Sequence, residues 1–268
     1  MNLSGTITAL VTPFARDGSV DYGALKALVD EQTAAGVEGI CSVGTSGESP
    51  TLTHEEHHRV IEKTIEFAAG KCTVVAGTGA NSTAEALSLT RAAIACGGAD
   101  ACLQVTPYYN KPNPEGLYRH FMSVADLGLP VILYNVPGRT GREIPLSVVK
   151  RLAAHPNVVA IKEAAGSVDR VSAVRDAAPG LTVLSGDDSL ALPMIAVGAA
   201  GVIEAIISTL AVKDSFYPAT INLDNPDEEC DLDYVPNKGI EGNIDVAVSA
   251  SLGFGGHNGV VVIKKYGV

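Results

Sequence analysis

From residue 6 to about residue 200 the chain alternates between short β-branched runs and helical stretches, and this repetition limits the fold more than any other feature. Strands are expected at Thr6–Thr12, Gly39–Val43, Thr73–Gly77, Ala101–Thr106, Val131–Asn135, Val158–Glu163 and Thr182–Ser185. Helical periods fall between them, at Tyr22–Ala35, Glu55–Ala69, Ala84–Ala95, Gly116–Ala125, Leu146–Ala154 and Val168–Ala177. Apolar strands alternating with amphipathic helices predict an α/β fold with a parallel sheet under helices. An open doubly wound sheet and a closed barrel both fit. The count favours a (β/α)8 TIM barrel if Gly201-Val202-Ile203 supplies an eighth strand. With 268 residues, 46% of them hydrophobic, the chain can bury such a core.

Beyond about residue 212 the repeat stops. Asn222–Asn237 is acidic and turn-rich, with Pro226 and Pro236. Two β-like runs follow, Ile244–Ser249 and Val260–Lys264, joined by the glycine-rich Leu252–Gly259, which reads as a hairpin-like pair. Residues 212–268 hold four lysines against nine carboxylates and so carry five of the eleven net negative charges. The organisation expected is a barrel over 1–205 and an atypical carboxyl-terminal segment over 206–268, incomplete as a domain.

A net charge of -11 argues against nucleic acid or an anionic membrane as partner. No run approaches the ~20 apolar residues of a membrane span. The opening Met1-Asn2-Leu3-Ser4-Gly5 has no basic segment and no long apolar stretch behind it, so no secretory signal is expected. Cys41, Cys72, Cys96, Cys102 and Cys230 form no CxxC pair, and their odd number suits a reducing cytoplasm.

Barrel enzymes carry their chemistry on loops at the carboxyl ends of the strands. Those ends read Gly44-Thr45-Ser46-Gly47-Glu48, Thr106-Pro107-Tyr108-Tyr109-Asn110, Tyr134-Asn135-Val136-Pro137-Gly138-Arg139-Thr140-Gly141, Lys162-Glu163 and Ser185-Gly186-Asp187-Asp188. Lys162 closes the buried run Val158-Val159-Ala160-Ile161. A lysine set against a dry wall is biased toward its neutral amine, which attacks carbonyls to form Schiff bases. Hydroxyls and phenols in a row can shuttle protons, and an arginine can grip a carboxylate with two hydrogen bonds. The set points to an aldolase that binds a keto acid through lysine.

Two patterns point elsewhere. His54-Glu55-Glu56-His57-His58 matches HExxH, but Thr53 and Glu56 form a capping box there, and no third zinc ligand stands out. No metal and no cofactor are expected. Gly77-Thr78-Gly79-Ala80-Asn81 lacks both phosphate-loop signatures and reads as a strand-to-helix turn.

At the rim motifs, from about residue 3 to about residue 201, the chain resembles the dihydrodipicolinate synthase family. The resemblance implies a Schiff base between Lys162 and pyruvate, attack of the enamine on L-aspartate 4-semialdehyde, and release of 4-hydroxy-tetrahydrodipicolinate, in the lysine and diaminopimelate route. It makes Tyr134 the general acid/base. Thr45, Ser46 and Tyr109 become a proton relay, Tyr109 coming from a neighbouring subunit of a homo-oligomer built as a dimer of dimers. Substrate contacts fall on Thr45, Ser46, Arg139, Gly186 and Ile203. A feedback site for L-lysine falls on Ser49, His54, His57, Asn81, Glu85 and Tyr108. Ser46 departs from the second threonine more usual in the family, and reduced turnover is expected from the lost methyl. Sibling pyruvate aldolases of the N-acetylneuraminate lyase kind share the lysine and tyrosine and supply an alternative activity.

The stretch Gly198-Ala199-Ala200-Gly201-Val202-Ile203-Glu204-Ala205-Ile206-Ile207-Ser208, then Thr220–Asp227 and Gly253-Phe254-Gly255-Gly256-His257-Asn258, is similar to the carboxyl-terminal part of β-ketoacyl-acyl-carrier-protein synthases. On that reading the chain is a fusion joined at Gly198-Ala199-Ala200-Gly201, its tail without condensing activity, and an inactive fusion is the other alternative. The join sets a strand against a helix over residues 202–212. A short eighth strand is expected, because an open barrel edge would expose an apolar seam.

Overall fold

A computed structural model of the chain describes residues 3–204 and, beyond them, 216–217, 235, 238–244, 246–253 and 257–264. Two compact units are present, Met1–Ala205 and Ile206–Val268.

The first unit is a closed barrel of eight parallel strands in sequential order. The strands are β1 (Gly5–Ala9), β2 (Gly39–Ser42), β3 (Thr73–Gly77), β4 (Ala101–Val105), β5 (Val131–Asn135), β6 (Val158–Glu163), β7 (Thr182–Ser185) and β8 (Gly201–Glu204). Between them run α1 (Tyr22–Ala35), α2 (His54–Ala68), α3 (Thr83–Cys96), α4 (Pro114–Ala125), the single turn α5 (Pro137–Thr140), α6 (Leu146–Leu152), α7 (Val168–Ala177) and α8 (Ala191–Ala196). Closure comes from β8, which pairs with β1 over Gly5↔Gly201 to Thr8↔Glu204 and with β7 at Leu184↔Gly201. The strand therefore wins over the helix at Gly201–Glu204, since it satisfies the open edges of both β1 and β7. Residues 205–212, the rest of that contested stretch, lie outside the described residues.

Strand alternation sorts the core into layers. Ile7, Cys41, Val75, Leu103, Ile132, Tyr134, Leu184 and Ile203 share the barrel interior. The opposite strand faces pack on helices, around Phe121 on one flank and around Val29, Ile40 and Ile61 on the other. The helices start where the sequence offers caps: Asp21, Thr53, Ser82, Asn113 and Ser167 each accept a backbone N–H of the first turn. Thr53 and Glu56 complete the capping box reciprocally.

Two expectations need correction in this unit. The first strand ends at Ala9 rather than Thr12, because β2, its partner on that side, ends its pairing at Cys41. Helix α8 is an addition, its six residues too few to show a period.

In the second unit β9 (Phe216–Tyr217) pairs with β10 (Ile240–Glu241), and β11 (Val246–Gly253) pairs antiparallel with β12 (His257–Lys264). The hairpin forms, but its ladder continues through Leu252↔Asn258 and Gly253↔His257, so the connection is shorter than Leu252–Gly259. Cys230 and Phe254 lie outside the described residues. Among those described, no helix is long and apolar enough to cross a membrane.

Candidate active site

Lys162 and Tyr134 are register partners across β6 and β5, and Lys162 pairs with Leu184 on β7. Both neighbours belong to the interior layer, so the lysine points into the barrel. It is 4% exposed, and its Nζ stands 4.5 Å from the centre of the Tyr134 ring. Among the described residues no carboxylate forms an ion pair with it. The backbone of Tyr134 is held from β4's exit, where Thr106 donates to the Tyr134 carbonyl from both N (3.0 Å) and Oγ1 (2.9 Å).

A cavity of about 190 Å3 opens at the carboxyl ends of the strands. Val43, Leu103, Val105 and Val136 line it with apolar surface, and Thr45, Ser49, Tyr108, Tyr134, Arg139 and Thr140 bring polar groups. Gly77 and Gly79 also line it. A side chain at Gly77 would put Cβ 2.2 Å from the Val43 carbonyl oxygen, so this glycine is needed for the close approach of β3's exit to β2's. The turn expected at Gly77-Thr78-Gly79 is therefore also a wall of the cavity.

Backbone strain gathers at this rim. Val43 (φ 54°), Glu48 (φ 57°), Tyr109 (φ 68°) and Lys111 (φ 43°) all sit in the left-handed region. For β-branched Val43 that conformation is a true outlier, with a cost of roughly 1–3 kcal/mol. It turns the chain sharply from the buried β2 to Gly44-Thr45, delivering Thr45 to the cavity mouth. Nothing in the sequence distinguishes Val43 from an ordinary strand valine.

The structure brings Thr45, Tyr134 and Arg139 to one cavity, with Lys162 against the Tyr134 ring. Ile203 is buried in the interior layer on β8. Gly186 follows β7, its N–H bonded to the Glu163 carbonyl at 2.9 Å, and a Cβ there would lie 2.6 Å from Lys162 Cε. Ser46 is half-buried and outside the cavity wall. Tyr109 is 91% exposed and does not line the cavity.

Of the second set, Ser49 and Tyr108 line the same cavity. His54 Nε2 lies 2.9 Å from Glu85 Oε1, and the Asn81 carbonyl accepts from Asn110 Nδ2 at 3.1 Å. His57 is 2% exposed, its Nε2 2.8 Å from the Gly77 carbonyl, and burial pushes its pKa down to about 4. It belongs to the core side of α2 rather than to a solvated face. Burial also raises the Tyr108 phenol, with Glu85 adding to the rise. Within the His54–His58 stretch, His54 pairs with Glu85, Glu56 closes the cap and His57 takes the core hydrogen bond. Among the described residues no three His, Cys, Asp or Glu side chains converge as a metal site.

The sequence model of the dihydrodipicolinate synthetase family matches residues 2–219. The chain belongs to that family. The match runs past residue 201, the limit of the rim-motif resemblance. A 4-hydroxy-tetrahydrodipicolinate synthase of a Hydrogenobaculum species is 50% identical over 214 residues, covering 79% of this chain and 73% of that relative. The chloride-inhibited dihydrodipicolinate synthase of Acinetobacter baumannii, solved with pyruvate, superimposes with a TM-score of 0.75 at 47% identity, over 80% of this chain and 73% of that one. The enzyme of Cyanidioschyzon merolae, solved with lysine bound, gives a TM-score of 0.72 at 42% identity, over 75% and 69%. The barrel of this family member is thus the shared part.

Proposed function

We propose that the chain is a class I lyase that condenses pyruvate with L-aspartate 4-semialdehyde to 4-hydroxy-tetrahydrodipicolinate. The observation that carries this reading is a buried strand lysine against a tyrosine ring, at the carboxyl-terminal mouth of a barrel. The Lys162 amine adds to the pyruvate carbonyl and loses water to give the imine. Loss of a methyl proton gives the enamine, whose carbon attacks the aldehyde. The amino group of the semialdehyde then closes the ring at the former carbonyl carbon and expels the lysine. Tyr134 moves the protons, with Thr45 and Ser46 continuing the relay to solvent. Arg139, exposed on α5 at the cavity mouth, takes the carboxylate of the incoming aldehyde. Gly186 and Ile203 shape the floor for pyruvate.

Tyr109 completes the relay in a neighbouring copy. Its 91% exposure and strained φ of 68° support a side chain held outward for another subunit, and a homo-oligomer, a dimer of dimers, follows. L-lysine binds Ser49, His54, His57, Asn81, Glu85 and Tyr108 and lowers the rate. The enzyme works in the cytoplasm without metal or cofactor. The tail over 206–268 derives from a condensing-enzyme terminus and contributes no chemistry. Thr220–Asp227 and Gly253–Asn258 support that origin.

Borohydride reduction in the presence of pyruvate, read by intact mass, is expected to give one adduct at Lys162 and none in Lys162→Ala. Turnover with aspartate semialdehyde separates the synthase from a sibling aldolase. A folded protein without the adduct would remove the proposal.

A further inference from the structure

The residues that follow Tyr134 and Lys162 on their strands face the other way. Asn135 and Glu163 are the next register pair across β5 and β6, both fully buried in the layer between sheet and helices. Asn135 Nδ2 donates to Glu163 Oε1 at 2.8 Å, and the Ala165 N–H donates to the same oxygen at 3.0 Å. Asn135 Oδ1 accepts the Ile144 N–H at 2.9 Å. From α7, Arg170 Nε lies 3.2 Å from Glu143 Oε1 and 3.5 Å from Glu163 Oε2, and its Nη2 donates to the Ile144 carbonyl. The second Glu163 contact lacks hydrogen-bond geometry, leaving Oε2 without a donor.

A buried carboxyl is an expensive way to fill a strand position. The preceding outward position of β6 is Ile161, an ordinary core residue. Burial pushes the Glu163 pKa up to about 7, a further sign that the site is not optimised for a carboxylate. The chemistry described above gives this group no role. What it does supply is a bridge between the two strands that carry the reacting side chains, one residue beyond them.

We propose that Glu163 is a positioning residue: by reaching Asn135 it locks β5 to β6 at the level of Tyr134 and Lys162 and so fixes the phenol against the amine. The inference rests on the Schiff-base reading above. The bridge continues into the segment that carries Arg139, because Asn135 also holds Ile144 and so closes the loop 136–143. The operative property is reach rather than charge. Oε1 receives both donors, and it accepts them whether the group is ionised or neutral.

Two substitutions separate reach from charge. Glu163→Gln keeps the length and the accepting oxygen. Glu163→Asp keeps the charge but withdraws the oxygen by one methylene. Glu163→Gln is expected to hold kcat within about threefold of the parent, whereas Glu163→Asp lowers kcat about tenfold or more, as small misplacements of reacting groups do. The KM for pyruvate should move less than about twofold in both, and the borohydride trapping rate at Lys162 should follow kcat. Should Glu163→Asp not fold, Asn135→Ser removes the bridge from the other strand and must lower kcat in the same way. Parent-like rates in the shortened variant, equal losses in both, or a loss confined to Glu163→Gln would each overturn the proposal. A parent that forms the pyruvate adduct while these variants trap it equally fast sinks this inference alone. A parent without the adduct sinks the Schiff-base reading and this one with it.

Discussion

The side-chain nitrogen of Lys162 and the ring of Tyr134, 4.5 Å apart, are held together by strand register rather than by a hydrogen bond between them. Parallel strands present equivalent faces at paired positions, so a nucleophile and a proton carrier on neighbouring strands meet inside the barrel without a loop to place them. This rigidity makes the site testable by small substitutions.

Tyr134→Phe keeps the ring beside the amine and removes only the hydroxyl. Turnover should fall about a hundredfold or more, the usual scale of a lost acid–base group. Pyruvate trapping at Lys162 should persist, though more slowly. Parent-like turnover in this variant would remove Tyr134 from the proton path.

Gly186→Ala would set a methyl 2.6 Å from Cε and 2.9 Å from Cγ of Lys162. The lysine chain is flexible and will move, and its amine moves with it. The fold should survive while adduct formation falls about a hundredfold, the penalty for an angstrom-scale misplacement. A melting temperature and an adduct yield both equal to the parent's would contradict this.

Ser46→Thr restores a β-branched hydroxyl that populates fewer rotamers. Since Ser46 follows the cavity-lining Thr45, narrowing its orientations should raise kcat about two- to threefold by saving side-chain entropy. An unchanged or lower kcat would show that rotamer freedom at this position does not limit the relay.

L-lysine at millimolar concentration should inhibit turnover. His54→Ala, which breaks the 2.9 Å pairing with Glu85, should weaken that inhibition about tenfold, as loss of one hydrogen bond to a charged group does. A flat titration of the parent would exclude the site.

Stability should depend on pH through three buried groups. His57 and His120, 2% and 4% exposed, are both pushed by burial from 6.5 down to about 4. The unfolded chain therefore binds protons more tightly there. Their contribution is whole above about 6.5 and is lost as pH falls toward 4, at about 3 kcal/mol each. Glu163 acts the other way: raised from 4.5 to about 7, it favours the folded state at low pH and loses that contribution as pH rises through that window. Two histidines outweigh one carboxyl, so the barrel should melt lower at pH 4.5 than at 6.5. Glu163→Gln should steepen the rise. A melting temperature that is flat or falling over that range would refute the assignment.

Much of this was legible in the sequence because periodicity is a local property. The strands β3, β5, β6 and β7 match the β-branched runs residue for residue, and Lys162 stands out as the charge that ends one of them. Glu163 was equally visible, yet nothing local tells a buried bridge from a charge at a strand exit. Its partners are 28 residues away on Asn135 and on the next helix at Arg170.

By itself, then, the sequence determined the alternation of strands and helices, the capping of the helices, and which residue types stand at the strand ends, since each depends on near neighbours along the chain. Only the tertiary structure decided that Val43 bends out of its preferred conformation to deliver Thr45, and that His57 is buried against Gly77. Those outcomes turn on which backbone edges and polar groups find partners far away in sequence, and burial is settled only when the whole barrel shuts.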